Sequence, residues 1–184
     1  MRGAVIGLLL GLSLTVGVAA EDEDVRNYAE YSATFASAGQ PTQAQLKMLI
    51  EGGVQRIIYI AYSDHKGSLA AEDRLVRDLG AEYIQIPVAW QAPARADYDL
   101  FAAVMNAAPA KPTLLHCQAN FRASAFAMLY RVLEQGVPVA QAKADMNAVW
   151  TPNETWTDFV RQVLMDEGID PDCEGCDWTP WQPE

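Results

Sequence analysis

The stretch that most constrains this chain is a short apolar run leading through a tight loop into an alanine-rich segment. Residues 113–115 have the length and composition of a buried strand, and residues 123–133 are typical of a buried helix. A strand that enters a helix through so short a loop directs several backbone N–H groups at one point, where the helix dipole adds positive potential. The sequence therefore predicts an anion-binding loop between a strand and a helix.

The loop carries one cysteine and one arginine, Cys117 and Arg122, with four residues between them. The positive potential would favour the thiolate of Cys117, and the guanidinium of Arg122 has the planar shape that grips phosphate or sulfate oxygens in pairs. Taken alone, the two residues would be better explained as a small buried hydrophobic residue and a surface cation than as parts of a site. The strand–loop–helix setting, with His116 directly before the cysteine, favours a functional site.

The order His-Cys, short loop, Arg and then a hydroxyl residue resembles the phosphate-binding loop of cysteine-dependent protein tyrosine and dual-specificity phosphatases. Residues 80–88 look like the strand before the acid loop of small bacterial members, and residues 37–42 look like their opening segment. The resemblance covers roughly residues 27–165. It implies one α/β domain in which helices flank a mainly parallel central sheet.

The loop departs from the usual family pattern in three ways. It has four residues between Cys and Arg where five are usual, and Ala123 separates the arginine from Ser124. Asn120 stands where glycine is usual, a mild change because Asn tolerates positive φ better than most residues. The four-residue spacing also occurs in rhodanese-type sulfurtransferases, so persulfide chemistry on Cys117 is an alternative.

The resemblance implies the following roles. Cys117 is the nucleophile that forms a phosphocysteine, and Arg122 holds the phosphoryl oxygens. The expected substrate-binding residues are those of the loop and its surroundings: His116, Gln118, Ala119, Asn120, Phe121, Ser124 and Trp90. The expected substrate is a phosphorylated protein or a small phosphoester.

The general acid is less clearly marked than the nucleophile. Trp90 falls where many dual-specificity phosphatases carry their acid Asp. Asp97, further along the same loop, is the first candidate, and it fits a plain helix N-cap equally well. Asp64 is the second candidate. The adjacent His65 is a possible site residue, although an exposed loop histidine is the favoured interpretation. A domain that binds a phospho-ligand without turnover is therefore a further alternative.

The N-terminus predicts export. Residues 1–20 combine a weakly positive start, an apolar run and a small-residue cleavage site before Glu21, which is typical of a secretory signal peptide. The expected location is the periplasm or the exterior, and an uncleaved N-terminal anchor is the alternative. After cleavage no stable membrane insertion is expected.

The charge excludes several classes of partner. The formal net charge is −11, and removal of residues 1–20 takes away Arg2 and leaves −12. Such an acidic protein is a poor candidate for binding nucleic acid or anionic membranes.

Two His and two spaced Cys give no recognisable metal ligand set, so no metal or cofactor is expected.

The mature chain divides into three parts. Residues 21–26 read as an acidic mobile segment, residues 27–167 as the phosphatase-like domain, and residues 168–184 as an irregular tail. In the tail we expect a Cys173–Cys176 disulfide, with a thioredoxin-like redox centre as the alternative. Acidic neighbours raise thiol pKa in general, which favours the structural role.

Strands and helices alternate along the domain, which predicts parallel βαβ units with a site beyond the carboxyl ends of the strands. A capping box is expected at Thr42 with Gln45. Expected strands cover residues 28–35, 56–62, 82–88 and the run before Cys117, and expected helices cover residues 42–51, 70–79, 97–108, 123–133, 139–150 and 154–167.

Overall fold

The computed structural model describes residues 24–107 and 111–182. The predicted signal peptide and residues 21–23 lie outside the described residues. The strands are β1 (Ala29–Ser32), β2 (Phe35–Ala38), β3 (Arg56–Tyr59), β4 (Glu82–Gln85) and β5 (Thr113–His116). The helices are α1 (Gln43–Glu51), α2 (Glu72–Asp78), α3 (Arg95–Ala107), α4 (Phe121–Leu133), α5 (Val139–Val149) and α6 (Glu154–Asp166).

The five strands form one sheet in the order β1-β2-β5-β3-β4. All neighbouring strands are parallel except β1 and β2. The predicted α/β domain with a mainly parallel sheet is therefore confirmed. Residues 28–35 hold the expected first short strand, β1, but the chain turns after Ser32 and a second, antiparallel strand, β2, begins at Phe35.

Strand β5 lies in the middle of the sheet. Its last residue, His116, pairs in register with Ala38 at the end of β2 and with Tyr59 at the end of β3. Three parallel strands therefore end level, and Cys117 leaves the sheet from its central strand at the carboxyl edge, where ligands bind in such sheets.

The sheet buries both faces, since side chains alternate between faces along each strand. Ile58 and Leu115 belong to the larger core, which includes side chains of α3, α4 and α6. Their neighbours Ile57 and Leu114 belong to a smaller core with side chains of α1 and α2. Helices therefore cover the sheet on two sides.

Helix termini follow local capping rules, with one difference from expectation. Thr42 and Gln45 form the predicted capping box at the start of α1. Helix α3, by contrast, begins at Arg95, two residues before the expected N-cap Asp97. The Asp97 carboxylate accepts a hydrogen bond from the Ala94 N–H at 3.4 Å, so it reaches back to the residue before the helix.

The C-terminal residues run without helix or strand after residue 168. Cys173 and Cys176 are joined in a disulfide, with Cα atoms 5.1 Å apart. Trp178 packs between the cations Lys143 and Arg161, at 4.9 and 5.6 Å from its ring centroid. Within the described residues no helix is long and apolar enough to cross a membrane.

Candidate active site

The strand–loop–helix unit predicted around Cys117 is present. Strand β5 ends at His116, and α4 begins at Phe121. Cys117 is buried, with 1% of its surface exposed. Asn120 adopts φ 67°, so the conformation expected at the position of the usual glycine is observed.

The loop carbonyls are turned toward the N-terminal part of the chain. The Gln118 carbonyl accepts hydrogen bonds from Arg26 Nη1 at 3.4 Å and from the Gln40 N–H at 3.3 Å. Asn27 Nδ2 donates to the Ala119 carbonyl at 2.9 Å. The first N–H groups of α4 have no intrahelical partners, so this arrangement leaves donors at the helix start available to an anion.

Arg122 is a buried cation held at the first turn of α4. It is 8% exposed, and its Nη1 donates to the Val88 carbonyl at 3.0 Å. Its guanidinium carbon lies 5.8 Å from the centroid of the Trp90 ring. Its Nε has no hydrogen-bond partner among the described residues. A buried guanidinium with an unused donor is costly unless an anion occupies the site.

Cys117 and Arg122 open into one cavity of about 410 Å³. This catalytic cavity, as we call it, brings together the predicted nucleophile, the predicted arginine, three of the expected loop residues and Trp90. Its walls also include two residues of the connection between β3 and α2. The lining residues are Tyr62, His65, Trp90, Cys117, Gln118, Ala119, Phe121 and Arg122.

His65 lines the catalytic cavity, which its reading as an ordinary exposed loop residue did not anticipate. Its Nδ1 accepts a hydrogen bond from the Gly67 N–H at 3.0 Å. An imidazole that accepts at Nδ1 carries the proton of its neutral form on Nε2. His65 therefore has its N–H donor on Nε2.

Gln118 ties the loop to the same connection. Its Nε2 donates to the Tyr59 hydroxyl at 2.5 Å and to Ser68 Oγ at 3.0 Å. A Cβ at Gly67 would come within 2.7 Å of Gln118 Oε1, so a larger residue there would displace the Gln118 side-chain amide. Burial is the main cause that raises the pKa of Tyr59, while its hydrogen bonds lower it. The Tyr59 hydroxyl therefore stays protonated and available to hold the loop.

His116 lies behind the site and is fully buried. Its ring stacks on Tyr59, with centroids 4.8 Å apart, and its Nε2 lies 3.1 Å from Glu72 Oε1. The two atoms are close, although they do not meet the angular requirement of a hydrogen bond. Gln40 Nε2 donates to the other Glu72 oxygen at 3.2 Å. His116 is not among the cavity residues, so its position fits support of the loop better than ligand contact.

Two other expected binding residues also support the loop from behind. The buried Ser124 hydroxyl donates to the Phe121 carbonyl and accepts from Trp150 Nε1, both at 3.1 Å. Asn120 Nδ2 donates to the Asn27 carbonyl at 2.6 Å. Neither side chain lines the catalytic cavity.

The candidate acids lie elsewhere. Neither Asp97 nor Asp64 is among the residues that line the catalytic cavity, and its described lining includes no carboxylate. Asp97 sits in the first turn of α3 with its carboxylate on the Ala94 N–H. In residues 24–107 and 111–182 no group of three His, Cys, Asp or Glu side chains could hold a metal ion.

Comparisons with known proteins agree with this geometry. The family described as "DSP-PTPase phosphatase fused to NAD+ Kinase" matches residues 14–162 of the 184 in the chain. A DUF442 phosphatase-like protein of Shewanella putrefaciens CN-32 is 32% identical, over 77% of this chain and 91% of that chain, with a TM-score of 0.69. No match was found among curated proteins.

More distant solved structures share the fold. Pseudomonas aeruginosa TpbA, as a cysteine-to-serine variant in complex with pTyr, is 20% identical over 73% of this chain and 83% of that chain, with a TM-score of 0.55. The PP-IP phosphatase SIW14 of S. cerevisiae is 13% identical over 78% of this chain and 94% of that chain, with a TM-score of 0.60.

Proposed function

The chain belongs to the DSP-PTPase phosphatase family and is a phosphoric monoester hydrolase of that type; on this premise we propose that it acts through a phosphocysteine on Cys117. The observation that carries the proposal is the buried Arg122 guanidinium, whose Nε has no partner among the described residues and which lines the same cavity as Cys117. A fixed, desolvated cation beside a thiol fits a bound phosphoryl group.

The reaction has two displacement steps. The Cys117 thiolate attacks phosphorus in line, so an S–P bond forms while the P–O bond to the leaving group breaks and the leaving oxygen takes up a proton. Water then attacks phosphorus, the S–P bond breaks, and inorganic phosphate leaves with the thiolate restored. Arg122 and the N–H groups at the start of α4 hold the nonbridging oxygens through both steps.

His65 is an additional phosphoryl-binding residue in this proposal. Its N–H donor is on Nε2, because its Nδ1 accepts the Gly67 N–H. It lines the catalytic cavity together with Arg122. The Nε2–H would add a hydrogen bond to the phosphoryl group beside Arg122.

Asp97 remains our proposed general acid. It follows Trp90 in the chain and lies in the first turn of α3, and a carboxyl group is the usual proton donor for a leaving oxygen. Because its carboxylate accepts the Ala94 N–H in this structure, it must leave that hydrogen bond to reach a substrate. The proposal therefore includes a rearrangement at the first turn of α3.

The substrate is proposed to be a phosphorylated protein or a small phosphoester. Two of the similar structures indicate types of substrate. TpbA is in complex with pTyr, and SIW14 is named as a PP-IP phosphatase. Both types of substrate contain a phosphoryl group that fits the proposed site.

We also propose that the protein is exported and that residues 1–20 are removed. Disulfides persist in oxidising compartments, and the Cys173–Cys176 pair supports that location. N-terminal sequencing of the protein from a periplasmic fraction tests the cleavage. A mature chain that still begins at Met1 would contradict it.

The phosphocysteine is tested by hydrolysis of an aryl phosphate by the wild type and Cys117→Ser. We expect vanadate-sensitive turnover by the wild type and none by the variant, which should still bind phosphate. Cys173→Ser is the matched control, since it removes a cysteine outside the cavity. No hydrolysis of any phosphoester by the wild type would overturn the mechanism.

The four-residue spacing between Cys117 and Arg122 favours a second candidate, sulfur transfer through a Cys117 persulfide. In that reaction thiosulfate gives its outer sulfur to the thiolate and leaves as sulfite, and cyanide then takes the sulfur. Thiocyanate formation lost in Cys117→Ser would support it. We expect none above the level of that variant.

A further inference from the structure

We propose that the substrate of this phosphatase carries a flat, uncharged apolar group beyond its phosphorylated ring, and that a second cavity beside the catalytic one binds this group. The inference rests on the proposed function, because it assigns a specificity subsite to the same site. The second cavity, which we call the aromatic subsite, has a volume of about 280 Å³. Its lining residues are Trp90, Phe121, Trp150, Thr151, Asn153 and Trp181.

The two cavities share walls. Trp90 and Phe121 line both the catalytic cavity and the aromatic subsite. For a ligand whose phosphoryl group lies at Arg122, the aromatic subsite is therefore the neighbouring cavity into which the rest of the ligand can extend. This adjacency is our reason for assigning the occupant of the aromatic subsite to the substrate.

The chemistry of the lining excludes a charged occupant. Four of its six residues are aromatic and none is charged. Asn153 Oδ1 is already occupied, because it caps α6 by accepting the Trp156 N–H at 3.1 Å. Flat apolar groups pack on aromatic faces, whereas a phosphate placed here would lose its hydration without gaining a cation.

The aromatic walls are held in place by other parts of the fold. Trp150 stacks on Phe121 with ring centroids 4.7 Å apart and an interplanar angle of 8°, and its indole N–H donates to Ser124 Oγ. Trp90 lies 5.5 Å from both Trp150 and Trp156. These contacts position Trp90, Trp150 and Phe121 before a ligand enters, which lowers the entropic cost of binding.

The irregular C-terminal tail supplies the outer wall. The Trp181 N–H donates to the Pro152 carbonyl at 2.9 Å, although 57% of the Trp181 surface remains exposed. The tail before it is cross-linked at Cys173–Cys176. A large apolar side chain thus stands at the rim of a cavity on a backbone held at Pro152, while much of its surface faces solvent.

The positive charge that lines the catalytic cavity suits a single phosphoryl group. Arg122 is the one Lys or Arg side chain among its described lining residues, and the whole chain carries −11. A polyphosphorylated ring would bring several negative charges to a site with one permanent cation. The site therefore favours a monophosphate whose remaining surface is apolar.

The test compares phenyl phosphate with biphenyl-4-yl phosphate, which have similar leaving groups and differ by one ring. We expect the wild type to prefer the biphenyl compound by about 10-fold in kcat/KM, mainly through KM, because a second ring buries apolar surface. Trp181→Ala should reduce that preference to about 2-fold, while Trp181→Phe should keep most of it. Tyr28→Ala, an exposed aromatic that lines neither cavity, is the control.

Calorimetric binding of both compounds to Cys117→Ser, with and without Trp181→Ala, measures the same preference without turnover. If hydrolysis is absent but the biphenyl preference and its loss in Trp181→Ala persist, the proposed catalysis fails and the subsite stands. If hydrolysis occurs but the two compounds are equivalent, or Trp181→Ala changes nothing, the subsite is wrong. Tighter binding of inositol hexakisphosphate than of biphenyl phosphate would also overturn it.

Discussion

Glu72 Oε1 lies 3.1 Å from His116 Nε2, and the two side chains are 3% and 0% exposed. This buried contact sits one residue before the proposed nucleophile and joins α2 to β5. We expect Glu72→Ala to lower the free energy of unfolding by about 1–3 kcal/mol, because it leaves buried polar atoms of His116 and Gln40 without a neighbour. Glu72→Gln should cost less, since its amide can still interact with both.

Urea unfolding of the three proteins measures this difference through the midpoint, provided that the slope is unchanged. Equal midpoints for the wild type and Glu72→Ala would show that the contact does not stabilise the loop.

Arg122→Lys should nearly abolish activity. An ammonium cannot make the planar two-point contact with phosphoryl oxygens, and it cannot simultaneously reproduce the Arg122 hydrogen bond to Val88. We expect a loss of at least about 10²-fold in kcat for an aryl phosphate. Arg26→Lys changes an arginine that contacts the loop only from outside and should retain most activity. Wild-type turnover by Arg122→Lys would rule out a bidentate role.

Asp97→Asn separates acid catalysis from helix capping. If Asp97 protonates the leaving oxygen, as we propose, the rate should fall by about 10²–10⁴-fold for an alkyl phosphate and much less for 4-nitrophenyl phosphate, whose leaving group needs little help. Loss of the hydrogen bond to Ala94 alone would affect both substrates equally. An unchanged alkyl phosphate rate would remove Asp97 from the mechanism.

His65→Asn removes the proposed phosphoryl donor while keeping its anchor. The Asn oxygen can accept the Gly67 N–H as Nδ1 does, but the side chain lacks an equivalent of Nε2–H. We expect KM for a small phosphoester to rise by about 10-fold, because a hydrogen bond to a charged group is lost. His65→Gln, which restores a donor near the Nε2 position, should recover part of the loss. Equal KM values for the wild type and His65→Asn would contradict the role.

Acid should release the C-terminal tail from α6. Arg161 donates to both carboxylate oxygens of Asp172, at 2.6 and 3.1 Å, and holds the pKa of Asp172 below its ordinary value. The stabilisation from this pair is fully present above the ordinary aspartate pKa and is lost as the pH falls through the lowered one. Fluorescence of Trp178, which packs on Arg161, should report the release. Arg161→Gln should show no transition in this pH range, and an identical profile in both proteins would contradict the prediction.

Local rules predicted the parts of the fold that depend on short stretches of sequence. The Thr42–Gln45 capping box and the positive φ of Asn120 each follow from residues within one turn. The parallel sheet followed from the alternation of strands and helices. The β1–β2 hairpin was missed because the turn after Ser32 lacks the Gly or Asn-Gly signal typical of hairpins.

The start of α3 was misplaced for a physical reason. Aspartate is favoured both at the N-cap, through its own side chain, and inside the first turn, where its carboxylate reaches back. Asp97 does the second, and the actual helix start lies between Ala94 and Arg95, which give no capping signal. Composition alone cannot separate these two positions.

The residues of the loop between β5 and α4 were predicted as site residues, whereas some other residues that line the cavities were not. Cys117, Arg122 and Trp90 do meet in one cavity, as their places after parallel strands indicated. Tyr62 and His65 also line it, in the connection that Gln118 contacts through Tyr59 and Ser68. Trp181 reaches the neighbouring subsite from the far end of the chain. No local pattern predicts the approach of Trp181. His65, by contrast, lies in the polar loop after β3, at the sheet edge where the site was expected.

The tryptophan cluster gives the protein an intrinsic circular-dichroism signal that can report ligand binding. The indole rings of Trp90, Trp150 and Trp156 lie 5.5–6.4 Å apart at fixed angles, close enough for their electronic transitions to couple. Such coupling produces a circular-dichroism couplet whose sign and size depend on the mutual orientation of the rings. Because Trp90 also forms a wall of the catalytic cavity, any ligand that turns this ring changes the couplet, so occupancy can be followed without a label or a chromogenic substrate.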